Sequence, residues 1–411
     1  MTTEKYYQHD VDCRELDGRI EAIQNDGKST RIIMDRTVFF PTGGGQPCDT
    51  GTLVTPDGTS VSVIDVQEDK DTGIISHTIE GDSSAIDALQ VGMTVTQKLN
   101  EDRRRINTQR HTGEHILTGA FIQLFGGANK GFHMGGEYVT IDMDYDGKKL
   151  TEEQVRAAEK MANEVIWANL PVTVSTFPNR EEASVMPTRK PVTQDGEITI
   201  VTIGDLESPH DCVACCGTHF HRTGEVGLIR VHKFEPNKGM NRIYFECGDR
   251  ALESMQSDDT LLRSVQERFS AGSHDLLQKM DIRDEKEAEL RQDCTGLRQY
   301  YRDREMARIT ALLHRDTPDF YQDSFTLVSP DGLLKLGFAI MEDASAPALM
   351  ALVHQPSHTV LLFSDGSRNC GALVKEHAKS LGGRGGGRPD QARALMPNED
   401  AVEKFIESLK K

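Results

Sequence analysis

The chain is poor in several things, and each shortage excludes a class of protein. No apolar run approaches the roughly 18 residues that a membrane-crossing helix needs. The opening Met1-Thr2-Thr3-Glu4-Lys5 has neither the basic nor the apolar region of a signal peptide, so the expected location is cytoplasmic. Cysteine is scarce, 8 in 411 residues, and three of them crowd into positions 212–216. That distribution suits a reducing compartment and metal chemistry, not a disulfide framework. Basic charge is short as well: 47 Lys and Arg against 65 Asp and Glu leave a net −18. A general polyanion binder is thereby excluded, because non-specific nucleic-acid affinity rests on neutralising phosphates. Any nucleic-acid contact has to come from a local patch, and Lys98, Arg103, Arg104, Arg105 and Arg110, against Glu101 and Asp102, form one that reads equally well as a solvated helix start.

What the chain does have is two clusters of metal-binding residue types. In His111-Thr112-Gly113-Glu114-His115 the two histidines stand one turn apart if 111–125 is helical, so both rings can reach one ion. A second cluster, Cys215-Cys216-Gly217-Thr218-His219, repeats the four-residue step with a thiolate and a third imidazole, a donor set that zinc favours. Taken alone, each half also reads as an ordinary packed or solvated face. A self-contained structural knuckle from Cys212, Cys215, His219 and His221 is a second arrangement. A third is the His-x-x-Glu-His pattern of an inverted zinc peptidase, with Glu114 as general base, which leaves Cys215 and His219 unexplained.

In chain order, residues 1–95 are β-rich, with short strands expected at Ser60–Val66, Gly73–Ile79 and Met93–Leu99 between Gly, Asp and Pro turns. Alternation in the first is imperfect, since Ile64 and Val66 lie on the face opposite Val61 and Val63. Within this region Thr37 to Gly51 runs from an apolar strand into Gly43, Gly44 and Gly45 and then Gln46, a loop that permits close backbone approach. Residues 96–250 are mixed: Leu117, Ala120, Phe121 and Leu124 keep one helical stripe, 138–144 alternates, and Thr151 with Gln154 makes a capping box. Strands follow at about 172–177, 197–203, 226–233 and 242–247, which puts the second cluster in a loop between strands. From 251 to 313 charge dominates and sparse apolar residues suggest a helical hairpin turning at Ala271-Gly272-Ser273, with Ser273 capping the second arm. Residues 320–411 carry expected strands near 325–329, 336–341, 349–354 and 359–363, a helix near 370–380, and a glycine-rich loop with Arg384 and Arg388 that suits phosphate contact.

The two clusters, the glycine motif and the C-terminal loop together resemble the editing and C-terminal regions of alanyl-tRNA synthetases, and the free-standing alanyl-tRNA editing proteins of the long AlaX type. The resemblance covers nearly the whole chain apart from the helical segment. It implies an α+β architecture: an N-terminal β-barrel-like domain (1–95), a two-layer α/β zinc editing domain (96–250), a helical hairpin spacer (251–313) and a small C-terminal α/β domain (320–411). It implies zinc held by His111, His115, Cys215 and His219, although Cys216 stands where the synthetases usually have glycine, so Cys212 or Cys216 competes with Cys215 as the thiolate. It gives Thr37 the hydroxyl of a misattached serine, makes Gln46 a catalytic-site residue and Gly43, Gly44 and Gly45 the pocket lining, and assigns Arg384 and Arg388 to tRNA. Phe132-His133-Met134 matches a further segment of the family. The implied activity is hydrolysis of Ser-tRNA(Ala) or Gly-tRNA(Ala) in trans, with a homodimer through the spacer or C-terminal domain as a possible assembly. A synthetase pocket that admits alanine cannot exclude glycine and discriminates weakly against an added hydroxyl, hence the need for a second, hydrolytic site. Ser-tRNA(Thr) is a further candidate substrate, and a tRNA-binding protein with a purely structural zinc is the non-catalytic alternative. No Asp-His-His triplet exists, which sets aside the phosphoesterases that share this C-terminal domain.

Overall fold

A computed structural model describes residues 2–316 and 318–410. The chain forms two units, Met1–Ser264 and Val265–Lys411. In the first, six strands close into a barrel: β1 (Glu15–Asn25), β2 (Thr30–Met34), β3 (Gly51–Val54), β4 (Ser60–Asp69), β5 (Ile74–Glu80) and β6 (Thr94–Leu99), in the order β1-β2-β5-β4-β3-β6. The expected strands at 60–66, 73–79 and 93–99 are β4, β5 and β6. The faulty alternation in β4 has a cause: its register against β5 shifts between Val63 and Asp65. The bulge resets the phase, so Val61, Val63 and Val66 all turn inward while Ile64 is left exposed.

After the barrel comes helix α1 (Glu101–Phe125), capped by the Asn100 side chain accepting from the Arg103 amide. It starts ten residues earlier than the histidine pair suggested, and its first three turns explain the basic cluster. Arg104 is buried and paired with the buried Asp49 at 2.6 Å, and Arg110 is buried and paired with Glu246 at 2.7 Å. Arg103 donates to the Cys48 carbonyl, and Arg105 pairs with Asp249. Two members of the basic patch, Arg104 and Arg110, are therefore internal cement while Lys98 and Arg105 stay exposed, and Arg104 ties α1 to the barrel through Asp49 and the Val11 and Val38 carbonyls.

Next are β7 (Ala128–Met134), β8 (Val139–Asp144), α2 (Glu152–Trp167), β9 (Val172–Phe177), β10 (Ile198–Ile203), β11 (Asp211–Ala214), β12 (Ile229–Asn237) and β13 (Met240–Cys247). One sheet runs β12-β13-β8-β7 and another β9-β10-β11. Ile116, Leu117, Ala120 and Phe121 of α1 pack with Val155, Ala158, Ala162 and Ile166 of α2 and with Val139, Ile141, Ile243 and Phe245 of the four-stranded sheet. Helices laid on a sheet give the two-layer core expected here. The capping box of α2 is present, both its bonds formed. Strands β7 and β11 were not foreseen.

Helix α3 (Gly248–Phe269) crosses from the first unit into the second, where α4 (Leu276–Arg315) follows. Ser273 does not cap α4, which begins three residues later with Asp275 at its N-cap; the Ser273 hydroxyl accepts from Gln266 instead. The sheet of the second unit runs β14 (Phe320–Phe325), β15 (Leu349–His354), β16 (Thr359–Ser364), β18 (Gln391–Leu395) and β17 (Arg384–Gly387), with α5 (Pro330–Met341), α6 (Cys370–His377) and α7 (Glu399–Leu409). Three expectations fail here, the first being the strand placed near 325–329, which stands earlier as β14 and ends at Phe325. The strand placed at 336–341 is the end of α5, and its buried residues Leu333, Leu336, Gly337 and Ile340 follow helical spacing after a Ser329 cap and Pro330. The glycine-rich segment is not a loop but the edge strand β17, where a Cβ at Gly385 would lie 2.0 Å from the Arg393 carbonyl. Among the described residues no helix is long and apolar enough to cross a membrane.

Candidate metal centre

The glycine motif folds as a two-residue turn. Gly43 and Gln46 exchange backbone hydrogen bonds in both directions, and the central Gly44 and Gly45 have φ of 56° and 83°. Two successive positive φ values are what a tight hairpin turn of this hand requires and what a Cβ penalises. Beside it, a Cβ at Gly45 would come 2.5 Å from the Phe132 ring, while Gly44 faces the Cys216 sulfur. The turn therefore delivers the buried Gln46 side chain toward α1. Its Oε1 lies 2.7 Å from His111 Nδ1 and accepts from the Thr218 amide at 3.2 Å, and its Nε2 donates to Thr218 Oγ1 at 3.0 Å. The Thr218 amide can only donate, which fixes the oxygen side of the Gln46 amide.

On the other side of His111, its Nε2 is 3.3 Å from Cys215 Sγ, and His219 Nε2 is 3.4 Å from the same sulfur. One donor atom from each of His111, His115, Cys215 and His219 lies within 4.8 Å of every other. Two distant segments thus meet around one point, three imidazoles and a sulfur enclosed by protein. Burial alone would raise the Cys215 thiol, but the His111 and His219 rings outweigh it and hold the thiol well below its ordinary value. A half-buried thiolate among three buried imidazoles is the donor chemistry of a zinc site, so the residues fit that ion.

The geometry also separates the alternatives. Cys212 is buried beside Thr202 Oγ1 at 3.4 Å, within a small cluster of Ala183, Ile198 and Ile200. Cys216 is exposed beside the glycine turn, and His221 lies 3.4 Å from Asp12. The knuckle of Cys212, Cys215, His219 and His221 is not assembled, and Cys215 is the sulfur at the centre. Glu114 Oε1 accepts from Thr118 and Asn129, both at 2.7 Å, within a buried polar network. That environment holds it in place and does not offer it to an open peptide cleft.

Thr37, the residue expected to meet a serine hydroxyl, has its hydrogen bonds within the N-terminal region. It is fully buried on a short strand paired with Glu4–Lys5 outside the barrel's six strands, with His77 Nε2 at 2.8 Å and the Phe39 amide donating to it at 3.1 Å. His77 Nδ1 faces the Ile32 carbonyl at 3.1 Å and carries the ring proton, so Nε2 and Gln97 Oε1, 3.1 Å from Thr37 Oγ1, are both acceptors for the single Thr37 hydroxyl proton. A serine hydroxyl could meet Thr37 only by donating to its oxygen, which already accepts from the Phe39 amide. Arg384 and Arg388 lie in the second unit, at the two ends of the exposed edge strand β17.

Sequence reading missed Gly217 and Asp211. A Cβ at Gly217 would stand 2.0 Å from the His111 ring, so the Cys-x-Gly-Thr-His order needs glycine to let the second cluster close on the first helix. Asp211, buried, places Oδ2 2.9 Å from His115 Nδ1. Phe132 walls the centre with its ring 5.0 Å from that of His111.

Against known proteins, residues 2–103 match the family described as tRNA synthetases class II (A), residues 198–244 the threonyl and alanyl tRNA synthetase second additional domain, and residues 339–411 the DHHA1 domain. Barrel, four-donor centre and these matches define a class: chains related to the threonyl and alanyl synthetases beyond their aminoacylation chemistry. Within it, this chain is similar to the alanyl-tRNA editing proteins in their long arrangement. It is 28% identical over 421 residues to the alanyl-tRNA editing protein AlaX-L of Pyrococcus horikoshii, covering 96% of this chain and 94% of that protein. It is 28% identical over 425 residues to the alanine--tRNA ligase of Thermococcus kodakarensis, and 30% identical over 405 residues to that of Pyrobaculum calidifontis. The chain spans only 43% and 41% of those two ligases.

Proposed function

We propose that this chain is a deacylase that hydrolyses the ester joining serine or glycine to tRNA(Ala), sparing the correct alanyl ester. The observation that carries the reading is the convergence of His111, His115, Cys215 and His219 on one point, with the glycine turn built against it through Gln46. The likeness to AlaX-L over 94% of that protein supports the substrate class. Zinc bound there would supply Lewis-acid polarisation of a water molecule or an anchor for the substrate amine. The residues themselves do three things: Cys215 brings the negative charge, the glycine turn and Phe132 shape the wall, and Gln46 and Thr218 hold His111 in place. Arg384 and Arg388, exposed on the second unit, are proposed contacts for tRNA phosphates. A second copy of the chain, meeting it through the 276–315 helix or the C-terminal fold, and a cytoplasmic location complete the proposal.

The test is a deacylation assay on Ser-tRNA(Ala), Gly-tRNA(Ala), Ala-tRNA(Ala) and Ser-tRNA(Thr), with and without chelator. One or both of the first two should turn over, the third should be spared, and chelator or His115→Ala should abolish turnover. Mischarged esters decaying no faster than in buffer, while tRNA still binds, would select the non-catalytic reading; cleavage of peptides surviving Cys215→Ala would select the peptidase.

A further inference from the structure

The three imidazoles at the centre differ in what lies behind them. His111 Nδ1 is backed by an amide oxygen of Gln46 and His219 Nδ1 by the Thr112 hydroxyl at 3.4 Å, but His115 Nδ1 is backed by a carboxylate, Asp211 Oδ2 at 2.9 Å. That carboxylate has an ion-pair partner, a guanidinium whose Nη1 and Nε are buried without a hydrogen bond. Arg189 Nη1 is 3.1 Å from Asp211 Oδ1, and the Arg189 amide donates to the Cys212 carbonyl at 2.8 Å, which ties the segment entering β10 to β11. Arg189 Nη2 also stands 3.7 Å from Glu114, the residue before His115. Asp211 and His115 side chains are 1% and 2% exposed, so water does not compete for the bond.

From this arrangement we infer that Asp211 is a positioning residue for the metal centre, with Arg189 as its clamp. A carboxylate only accepts, so the ring proton of His115 sits on Nδ1 and the lone pair on Nε2 faces the sulfur and the other two rings. Asp211 thereby fixes both the tautomer and the plane of the ring. It also makes His115 the strongest imidazole donor of the three, because a carboxylate behind a ligating histidine raises its basicity more than an amide or a hydroxyl does. Position 211 is four residues before Cys215, so the short strand β11 begins at the histidine's orienting group and ends one residue before the sulfur. The inference rests on the metal-binding part of the proposed function and not on the substrate assigned there.

The experiment measures zinc affinity by competition with a chromophoric chelator, and the absorption of the cobalt-substituted protein, for the parent, Asp211→Asn and Arg189→Gln. Removing an orienting group of this kind weakens metal binding about 10- to 100-fold. Asp211→Asn should fall in that range, and Arg189→Gln should show a smaller loss. In both, the thiolate-to-cobalt band should persist because all four donors remain, while the ligand-field bands shift. Zinc affinity within twofold of the parent in a folded Asp211→Asn protein would overturn the inference. Should that variant not fold, parental affinity and parental cobalt bands in Arg189→Gln would overturn it. Failure of deacylation with any substrate would leave these affinities untouched, so the two proposals fail separately.

Discussion

Helices α1 and α4 are both polar on paper, yet the structure uses them in opposite ways. Of the 25 residues of α1, 16 are buried, among them Arg104, Arg110, His111, Glu114 and His115. Of the 40 residues of α4, four are buried, and Leu277, Leu290, Leu297 and Tyr300 stand exposed. The lesson is that polarity does not report exposure when every charge has a partner. In α1 Asp49, Glu246, Asp211 and Gln46 arrive from three other segments, and each removes the cost of burying one side chain. In α4 the exposed stretch pairs neighbours on the same helix, such as Glu287 and Arg291, where each contributes little, and its C-terminal end reaches other segments, through Arg308 to Asp323 and His314 to Asp343.

The contrast can be broken most forcefully at Arg104. Asp49→Ala leaves its guanidinium buried without a counter-charge, and loss of one partner of such a pair costs about 3–5 kcal/mol. Urea unfolding followed at Trp167, the chain's single tryptophan, should show the first unit destabilised by that amount. A change under 1 kcal/mol would mean, by the measure of surface pairs, that water reaches the pair.

Acid gives the next largest effect, in the barrel that α1 is tied to. Burial pushes His77 down to about 4, partly opposed by its bond to the Ile32 carbonyl. The unfolded chain, with histidine near 6.5, takes up the proton first, so this stabilisation is complete above about pH 6.5 and is lost as pH falls toward about 4. The shift corresponds to about 3 kcal/mol. His77→Gln should flatten the fall in the urea midpoint between pH 7 and pH 4.5; a parallel fall in parent and variant would assign the acid sensitivity elsewhere.

Glycine substitutions sharpen the comparison at its smallest scale. At Gly113 in α1 a Cβ would sit 2.3 Å from Cys247 Sγ, and overpacking of this kind costs about 1–3 kcal/mol. At Gly296 in α4 nothing lies within 4 Å, and Gly296→Ala should stabilise by up to about 1 kcal/mol through helix propensity. Thermal melts followed by circular dichroism should move in opposite directions, and the same sign in both would sink the distinction drawn between the helices.

Legibility in the sequence followed the same division. Strands β4, β5, β6, β9 and β10 and the capping box of α2 were readable because local alternation and turn residues specify them. The start of α1 was not, since Arg104, Gln109 and Arg110 look solvated until their partners are known. Strand 336–341 was misread through its dense apolar run, although Ser329-Pro330 and the step from Leu333 to Leu336 to Ile340 already spelled a helix. At the site, spacing and resemblance brought forward His111, His115, Cys215 and His219, but not Asp211, whose role depends on a hydrogen bond spanning 96 positions.

By itself the sequence determined which residues could bind a metal, because a four-residue step on a helix and a Cys-to-His step of the same length are local facts. Only the tertiary structure decided that these belong to one centre, that Cys215 and not its neighbours supplies the sulfur, and that Thr37 has its hydrogen bonds within the N-terminal region. Those outcomes depend on which groups meet across roughly a hundred residues, and on the rule that a buried donor or charge must find its partner wherever the fold places one.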